Sequence, residues 1–245
     1  MIYDDELYTI KIDTVGEWQG DECFSVYVKE RDEHVKIEIW DYDTLYRYPY
    51  LFEIMYQKIL KSKSIYSVWD IFLNHKEIAN NELRILDIGA GSGLAGQYIR
   101  SISSPQILHG LDILESARTS CLRDYPKIYD EYHVINLQKM QSHEKNLLKS
   151  KNFNCITIIS SSGGSDDDPD YHDVELQEYQ EIIDIINNSG YIVFNIREYE
   201  LRGQVEIKKL LGKYCTLINE TVYPHRQLLN GSIVNNKALI YRISK

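Results

Sequence analysis

Ile85-Leu86-Asp87-Ile88-Gly89-Ala90-Gly91-Ser92-Gly93-Leu94-Ala95-Gly96 is the stretch on which the reading of this chain turns. A short apolar run carries a carboxylate near its end, glycines then alternate, and Tyr98, Ile99 and Ile102 follow at helical spacing. Glycine adopts backbone conformations closed to other residues, so the chain can turn tightly and approach a ligand closely, and the helix N-terminus beyond it presents free N–H donors. The stretch predicts a buried strand, a ligand-holding turn and a helix.

Downstream, apolar β-branched runs alternate with amphipathic stretches: 107–112, 133–136, 155–160 and 191–195. This is the pattern of a parallel sheet flanked by helices. After a helix-like 204–211, the runs Tyr214–Tyr223 and Ala238–Ile243 are separated by a Gly231-Ser232 turn with no room for a helix, which predicts an antiparallel hairpin. The expected fold is α/β: a doubly wound, mostly parallel seven-stranded sheet with an antiparallel last strand. Upstream, Tyr8, Ile10 and Ile12, then Phe24, Val26 and Val28, then Val35, Ile37 and Ile39 alternate in strand fashion, with a turn at 30–33. Between 44 and 79 the period becomes helical, clearest in Ile65, Val68, Trp69, Phe72 and Leu73. The expected organisation is an N-terminal β extension over 1–43, a helical lid over 44–80 and the main domain over 81–245.

Gly91-x-Gly93-x-x-Gly96 satisfies the dinucleotide pattern, and Asp112, ending the next strand, is placed to take ribose hydroxyls whichever nucleotide binds. Asp87 separates the alternatives. A carboxylate there repels a pyrophosphate but favours the ammonium and sulfonium of S-adenosylmethionine (SAM).

Asp87-Ile88-Gly89-Ala90-Gly91-Ser92-Gly93 resembles the first motif of the class I, seven-stranded SAM-dependent methyltransferases, and the likeness runs over Asn81–Lys245. It implies SAM as cofactor, held by Asp87, Gly89, Ala90, Gly91 and Gly93. Gly110-Leu111-Asp112-Ile113 resembles the family's second motif, which assigns Asp112 to the ribose and Ile113 to the same cofactor. Tyr132-His133-Val134-Ile135-Asn136-Leu137 resembles the segment lining the adenine, implying contacts from Asn136 and Leu137; relatives commonly have Asp at the position of Asn136, whose amide oxygen can serve the adenine amino group. A narrower likeness is to bacterial small-molecule-type methyltransferases. It rests on Asp41-Tyr42, Tyr46, Pro49 and Phe52-Glu53, on Arg123-Asp124-Tyr125-Pro126 with Tyr129-Asp130, and on His225-Arg226 with Gly231. This implies that Tyr42 and Tyr46 belong to a lid over the cofactor, while Tyr50 is left to packing.

In such a sheet, ligands lie beyond the carboxyl ends of the strands, which places the run Ser160–Asp173 beside the transferred group. Ser160 is assigned to the cofactor, and the rest forms a candidate acceptor wall. His172, Asp168 and Tyr171 are the candidate catalytic groups, able to take a proton from an acceptor. The competing reading is a solvated acidic loop that ends at a helix N-cap at Asp173. No metal is assigned, because the run lacks calcium-loop spacing and His34, His75, His109, His133 and His143 show no ligand pattern.

A formal charge of −10, from 37 acidic and 27 basic residues, argues against a nucleic-acid partner. No run approaches the ~18 apolar residues of a membrane span, and the acidic start lacks a secretory signal's apolar core. Four separated cysteines support neither a disulfide framework nor a zinc site, so a cytoplasmic protein is expected. The expected function is methyl transfer from SAM to an oxygen or nitrogen of a small-molecule acceptor, with a homodimer left open. Three alternatives stand: an aminopropyltransferase using decarboxylated SAM, a non-catalytic SAM-fold partner or regulatory protein, and an NAD-dependent oxidoreductase.

Overall fold

The computed structural model describes residues 2–14, 23–38, 41–78, 82–159, 176–186, 189–197, 208–227 and 233–244. Strands β1 (Ile2–Asp4), β2 (Tyr8–Thr14), β3 (Cys23–Val28) and β4 (Glu33–Glu38) form an antiparallel sheet in sequence order. The expected turn between the last two is a 3-10 turn over Lys29–Arg31, closed by Asp32 at φ 51°. β1 is a strand that the alternation did not announce.

Seven further strands form the central sheet: β5 (Arg84–Ile88), β6 (Ile107–Asp112), β7 (Glu131–Val134), β8 (Cys155–Ile158), β9 (Ser189–Arg197), β10 (Cys215–Gln227) and β11 (Ile233–Ser244). Their order is β10-β11-β9-β8-β5-β6-β7; β5 to β9 run parallel, and β11 is antiparallel to both its neighbours. The third run departs from expectation. It is a strand over 131–134 rather than 133–136, because its pairing with β6 begins at His109 with Glu131 and ends at Asp112 with Val134. The final hairpin is longer than the sequence pattern suggests, with a register shift at Pro224, which has no N–H to give the ladder.

Both faces of this sheet are covered, as parallel strands require. Alternating residues divide between the layers: Ile85 joins a core with α3 (Ser64–Leu73), α4 (Leu94–Ile102) and Cys121 of α5 (Glu115–Asp124). Leu86 joins a second core with Leu148 of α6 (Ser142–Ser150) and Tyr179, Ile182 and Ile183 of α7 (Leu176–Ile185). The helical face read from Ile65, Val68, Trp69 and Phe72 is buried, and Leu73 packs at its edge.

Between the two sheets lie α1 (Tyr42–Arg47) and α2 (Leu51–Glu53), the latter continuing as a π turn over Ile54–Ile59. Tyr8, Ile10, Phe24, Val26, Val28 and Ile37 of the small sheet pack on Leu45, Tyr48, Leu51, Ile54, Met55 and Ile59. The Tyr8 hydroxyl also donates to the carbonyl of Pro49 at 2.6 Å. Burial of this apolar layer fixes the small sheet to the helical segment. Among the described residues no helix is long and apolar enough to cross a membrane.

Candidate cofactor site

At the carboxyl end of β5 the chain makes its glycine turn, with Gly89, Gly91 and Gly93 at φ 73°, 54° and 96°. These values lie in the left-handed region, where a side chain is strained. Gly91 is held from three directions. Its N–H donates to Asp112 Oδ2 at 2.9 Å, its carbonyl accepts from the Tyr132 hydroxyl at 2.7 Å, and a Cβ on it would lie 2.6 Å from the Tyr46 hydroxyl. At Gly96 a Cβ would meet Ile128 and the Tyr129 ring within 2.6 to 2.7 Å, so α4 can lie close to that ring only without a side chain there.

Asp87 lies opposite Gly110 of β6 and Thr157 of β8, between a residue with no side chain and one with a hydroxyl. Its two oxygens accept from the Tyr129 and Thr157 hydroxyls, both at 2.7 Å, and Tyr129 accepts in turn from the Gly96 N–H at 3.2 Å. Asp87 is only 2% exposed, and burial pushes its carboxyl up to about 6 despite these bonds, with the nearby Asp112 adding to the rise. Asp112 is also held up by burial, opposed by backbone N–H donors from Leu114, Gly91 and Ile113. Among the described residues no cation acts on either acid. Ser92 adds a buried hydroxyl with no hydrogen-bond partner among the described residues.

The lid covers this turn. Tyr46 is buried against Gly91, with Tyr42 stacked on it at 6.0 Å between ring centroids and Phe52 tilted against both. What fixes the lid is the Arg123-Asp124 pair. The Arg123 guanidinium donates to the carbonyls of Tyr46, Arg47 and Tyr48 at 3.2, 3.0 and 2.9 Å, where α1 ends and its carbonyls lack helical partners. Asp124 anchors that guanidinium at 2.6 and 2.8 Å and accepts from the Tyr50 N–H at 2.9 Å. Tyr50, expected from the sequence to pack, meets the Tyr125 ring edge-on at 5.8 Å, is 40% exposed and takes φ 55° at the start of α2.

Ile113 follows Asp112 at 58% exposure on the same rim. Beyond β7, the Asn136 side chain accepts from the Gln138 N–H at 3.0 Å, capping a short turn over Leu137–Lys139, so one lone pair of its amide oxygen is already engaged. Ser160, Asp168, Tyr171 and His172 lie outside the described residues.

The structure also assembles residues that sequence reasoning missed. Tyr129 and Thr157 hold Asp87, although Tyr129 entered the sequence reading as part of the family likeness. A buried polar cluster joins α3 to the last strands: the Ser64 hydroxyl lies 2.6 Å from His225 Nδ1 and accepts from the Tyr223 hydroxyl at 3.1 Å and the Asn195 amide at 3.4 Å. Phe194 pairs with Ile158, the last residue of β8, so Asn195 lies on the rim from which the Ser160 run departs. His225 stood out in the sequence as part of the family likeness, but the spacing of these residues announces no cluster, and only the sheet order brings them together.

The order of the central sheet decides the family of fold. A parallel sheet that ends with an antiparallel strand inserted between the fifth and sixth, with a glycine turn after the first, leaves one architecture. The chain has the class I methyltransferase fold. Solved structures agree. The 1,6-didemethyltoxoflavin-N1-methyltransferase of Burkholderia thailandensis, with bound 1,6-didemethyltoxoflavin and S-adenosylhomocysteine, is similar at a TM-score of 0.55 and 12% identity, over 99% of this chain and 98% of its own. That span takes in the small sheet and the lid. The N-methyltransferase NodS of Bradyrhizobium japonicum WM9, with S-adenosyl-L-homocysteine, gives 0.53 at 10% identity over 74% of this chain and 86% of its own. MccD protein gives 0.52 at 12% over 73% and 97%. Neither a protein-family model nor a curated protein sequence matches the chain.

Proposed function

We propose that this chain is a SAM-dependent methyltransferase acting on an oxygen or nitrogen of a small-molecule acceptor. The observation that carries this reading is the pair of buried carboxylates, Asp87 and Asp112, flanking the glycine turn with no cation acting on them among the described residues. Buried charge without a counter-charge is costly, and a cationic ligand relieves it. A pyrophosphate would add negative charge to the same place, which disfavours the NAD reading.

The residues present fit SAM. Asp112 takes the ribose hydroxyls, Gly89, Ala90, Gly91 and Gly93 bring backbone close to the ligand, and the unpartnered Ser92 hydroxyl has a hydrogen bond to give. Asp87 acts from below through its charge, Ile113, Asn136 and Leu137 are assigned to the adenine, and Ser160, outside the described residues, is assigned to the cofactor from its place in the sequence after β8. Tyr42 and Tyr46 form the lid that excludes water. SAM, when bound, supplies a methyl group already activated by its sulfonium. The protein's task is then to align the acceptor in line with that group and to accept a proton where the acceptor carries one. Asp168, Tyr171 and His172, which follow β8 in the sequence and lie outside the described residues, are the groups we assign to this proton, and the Ser64–His225 cluster lies near the end of the neighbouring strand β9. The acidic overall charge and the small molecule bound in the toxoflavin-type neighbour support a small acceptor over a nucleic acid.

Calorimetry of the full chain with SAM, S-adenosylhomocysteine and NAD tests the reading. SAM and S-adenosylhomocysteine should bind and NAD should not, and binding of NAD alone overturns the proposal. SAM affinity should fall as the pH is lowered through about 6, because protonating Asp87 removes the charge that favours the cation.

A further inference from the structure

The pairing of β6 with β7 sets His109 opposite Glu131 and Leu111 opposite His133. Residues two apart on a strand share a face, so the two histidines and the glutamate project together on the α6 side of the sheet, away from the glycine turn. His109 Nδ1 lies 3.0 Å from His133 Nε2, and Glu131 Oε2 lies 3.9 Å from the first and 3.7 Å from the second.

We propose that His109, Glu131 and His133 bind a divalent transition-metal ion of the zinc type. The triangle supports this metrically. A circle through three points separated by 3.0, 3.7 and 3.9 Å has a radius of about 2.1 Å, which is the bond length zinc makes to imidazole nitrogen and carboxylate oxygen. A hydrogen bond accounts for the two rings but not for the carboxylate, whose oxygen is beyond hydrogen-bond reach of both nitrogens while facing between them. Two ring nitrogens at 3.0 Å cannot both carry protons, and with the protons on the opposite ring nitrogens, His109 Nε2 and His133 Nδ1, both facing lone pairs turn to a cation.

The surroundings fix the ligands. Lys151 holds the other oxygen of Glu131, leaving Oε2 for the histidines, and Phe153 meets the His109 ring edge-on at 5.2 Å. Such outer contacts orient metal ligands. The side chains of His109 and His133 are 3% and 9% exposed, whereas Glu131 is 45% exposed, so the site opens to solvent at one edge and leaves room for water as a fourth ligand. Sequence reading could not find it, because Glu131-x-His133 supplies two ligands on one strand and the third comes from a neighbouring strand. An ion there ties the edge strand β7 to β6.

The test uses the full chain, stripped with EDTA and then titrated with Zn2+ by calorimetry and with Co2+ by visible absorption. One Zn2+ per chain is expected, with a Kd of about 1 μM or tighter, Co2+ bands of a nitrogen- and oxygen-ligated site, and a melting temperature raised by Zn2+. Glu131→Gln and His133→Gln should each weaken Zn2+ by about 100-fold or more. The partly exposed Glu131→Gln variant keeps the test decisive where His133→Gln fails to fold. Absence of stoichiometric binding to the parent chain, or unchanged affinity in a folded Glu131→Gln protein, overturns the proposal.

Discussion

The glycine turn and the lid touch at Gly91 and Tyr46, yet the two are held in different ways. The turn is fixed by its immediate neighbours in the sheet. Asp112 reaches it from the adjacent strand β6, 21 residues on, and Asp87 is clasped by hydroxyls from Thr157 on β8 and from Tyr129 ahead of β7. Among the described residues the lid has no hydrogen-bonded ladder to the central sheet. It is held by an arginine that spans 75 to 77 residues to three carbonyls at the end of α1, by bonds linking Asp124 with Tyr50 and Ser116 with Asp43, and by apolar burial against the small sheet. A floor built into the sheet is held by strand pairing, whereas the roof is held by side-chain bonds and a packed layer.

This contrast can be broken at three points. The largest effect is expected at the floor. Asp112→Ala removes the acceptor for the Gly91 and Leu114 N–H groups together with the proposed ribose contact, and should weaken SAM by about 100-fold or more in calorimetry. Affinity within a few-fold of the parent would show that the turn does not depend on that carboxylate.

Asp87 sharpens the comparison because it opposes stability to binding. Its folded carboxyl is raised from 3.8 to about 6, so the protonated form is favoured in the folded state. Its contribution to stability is therefore fully present below about pH 4 and is lost as pH rises to about 6, a change on the order of 3 kcal/mol. Asp87→Asn should melt at a higher temperature than the parent above pH 6 while binding SAM about 10-fold more weakly and losing the affinity change near pH 6. A variant that is less stable at pH 7 would show that the charged form is compensated within the fold.

The smallest effect on affinity is expected at the roof. Arg123→Met removes the bonds to the α1 carbonyls and should weaken SAM only about 5-fold, with the loss in the dissociation rate. Limited proteolysis should cut the residues 41–60 segment faster while the central domain stays protected. Equal loss of affinity in Arg123→Met and Asp112→Ala would erase the distinction between floor and roof.

Much of the floor was legible because its signals are local. Alternating glycines after a β-branched run, and a carboxylate two residues before the first of them, follow from backbone sterics and charge within about ten residues. Asp112 was legible because consecutive parallel strands tend to lie side by side. What Asp87 touches was not legible. Its burial depends on Thr157 and Tyr129, which lie 70 and 42 residues away. The 131–134 strand was misplaced by two residues because its limits are set by pairing with β6 and not by its own apolar content. Arg123-Asp124 stood out as a likeness, but its role as the clamp on α1 appears only when α5 and the lid are packed together.

By itself the sequence determined the class of the fold, the place of the glycine turn and the acid that follows it. Periodicity, glycine freedom and charge act over short stretches and can be read from them. Tertiary structure alone decided that Asp87 is buried beneath the turn, that Tyr46 rather than Tyr42 lies against Gly91, and that His109, Glu131 and His133 converge. Each depends on which strands and helices become neighbours, a property of strand order and register that no local window contains.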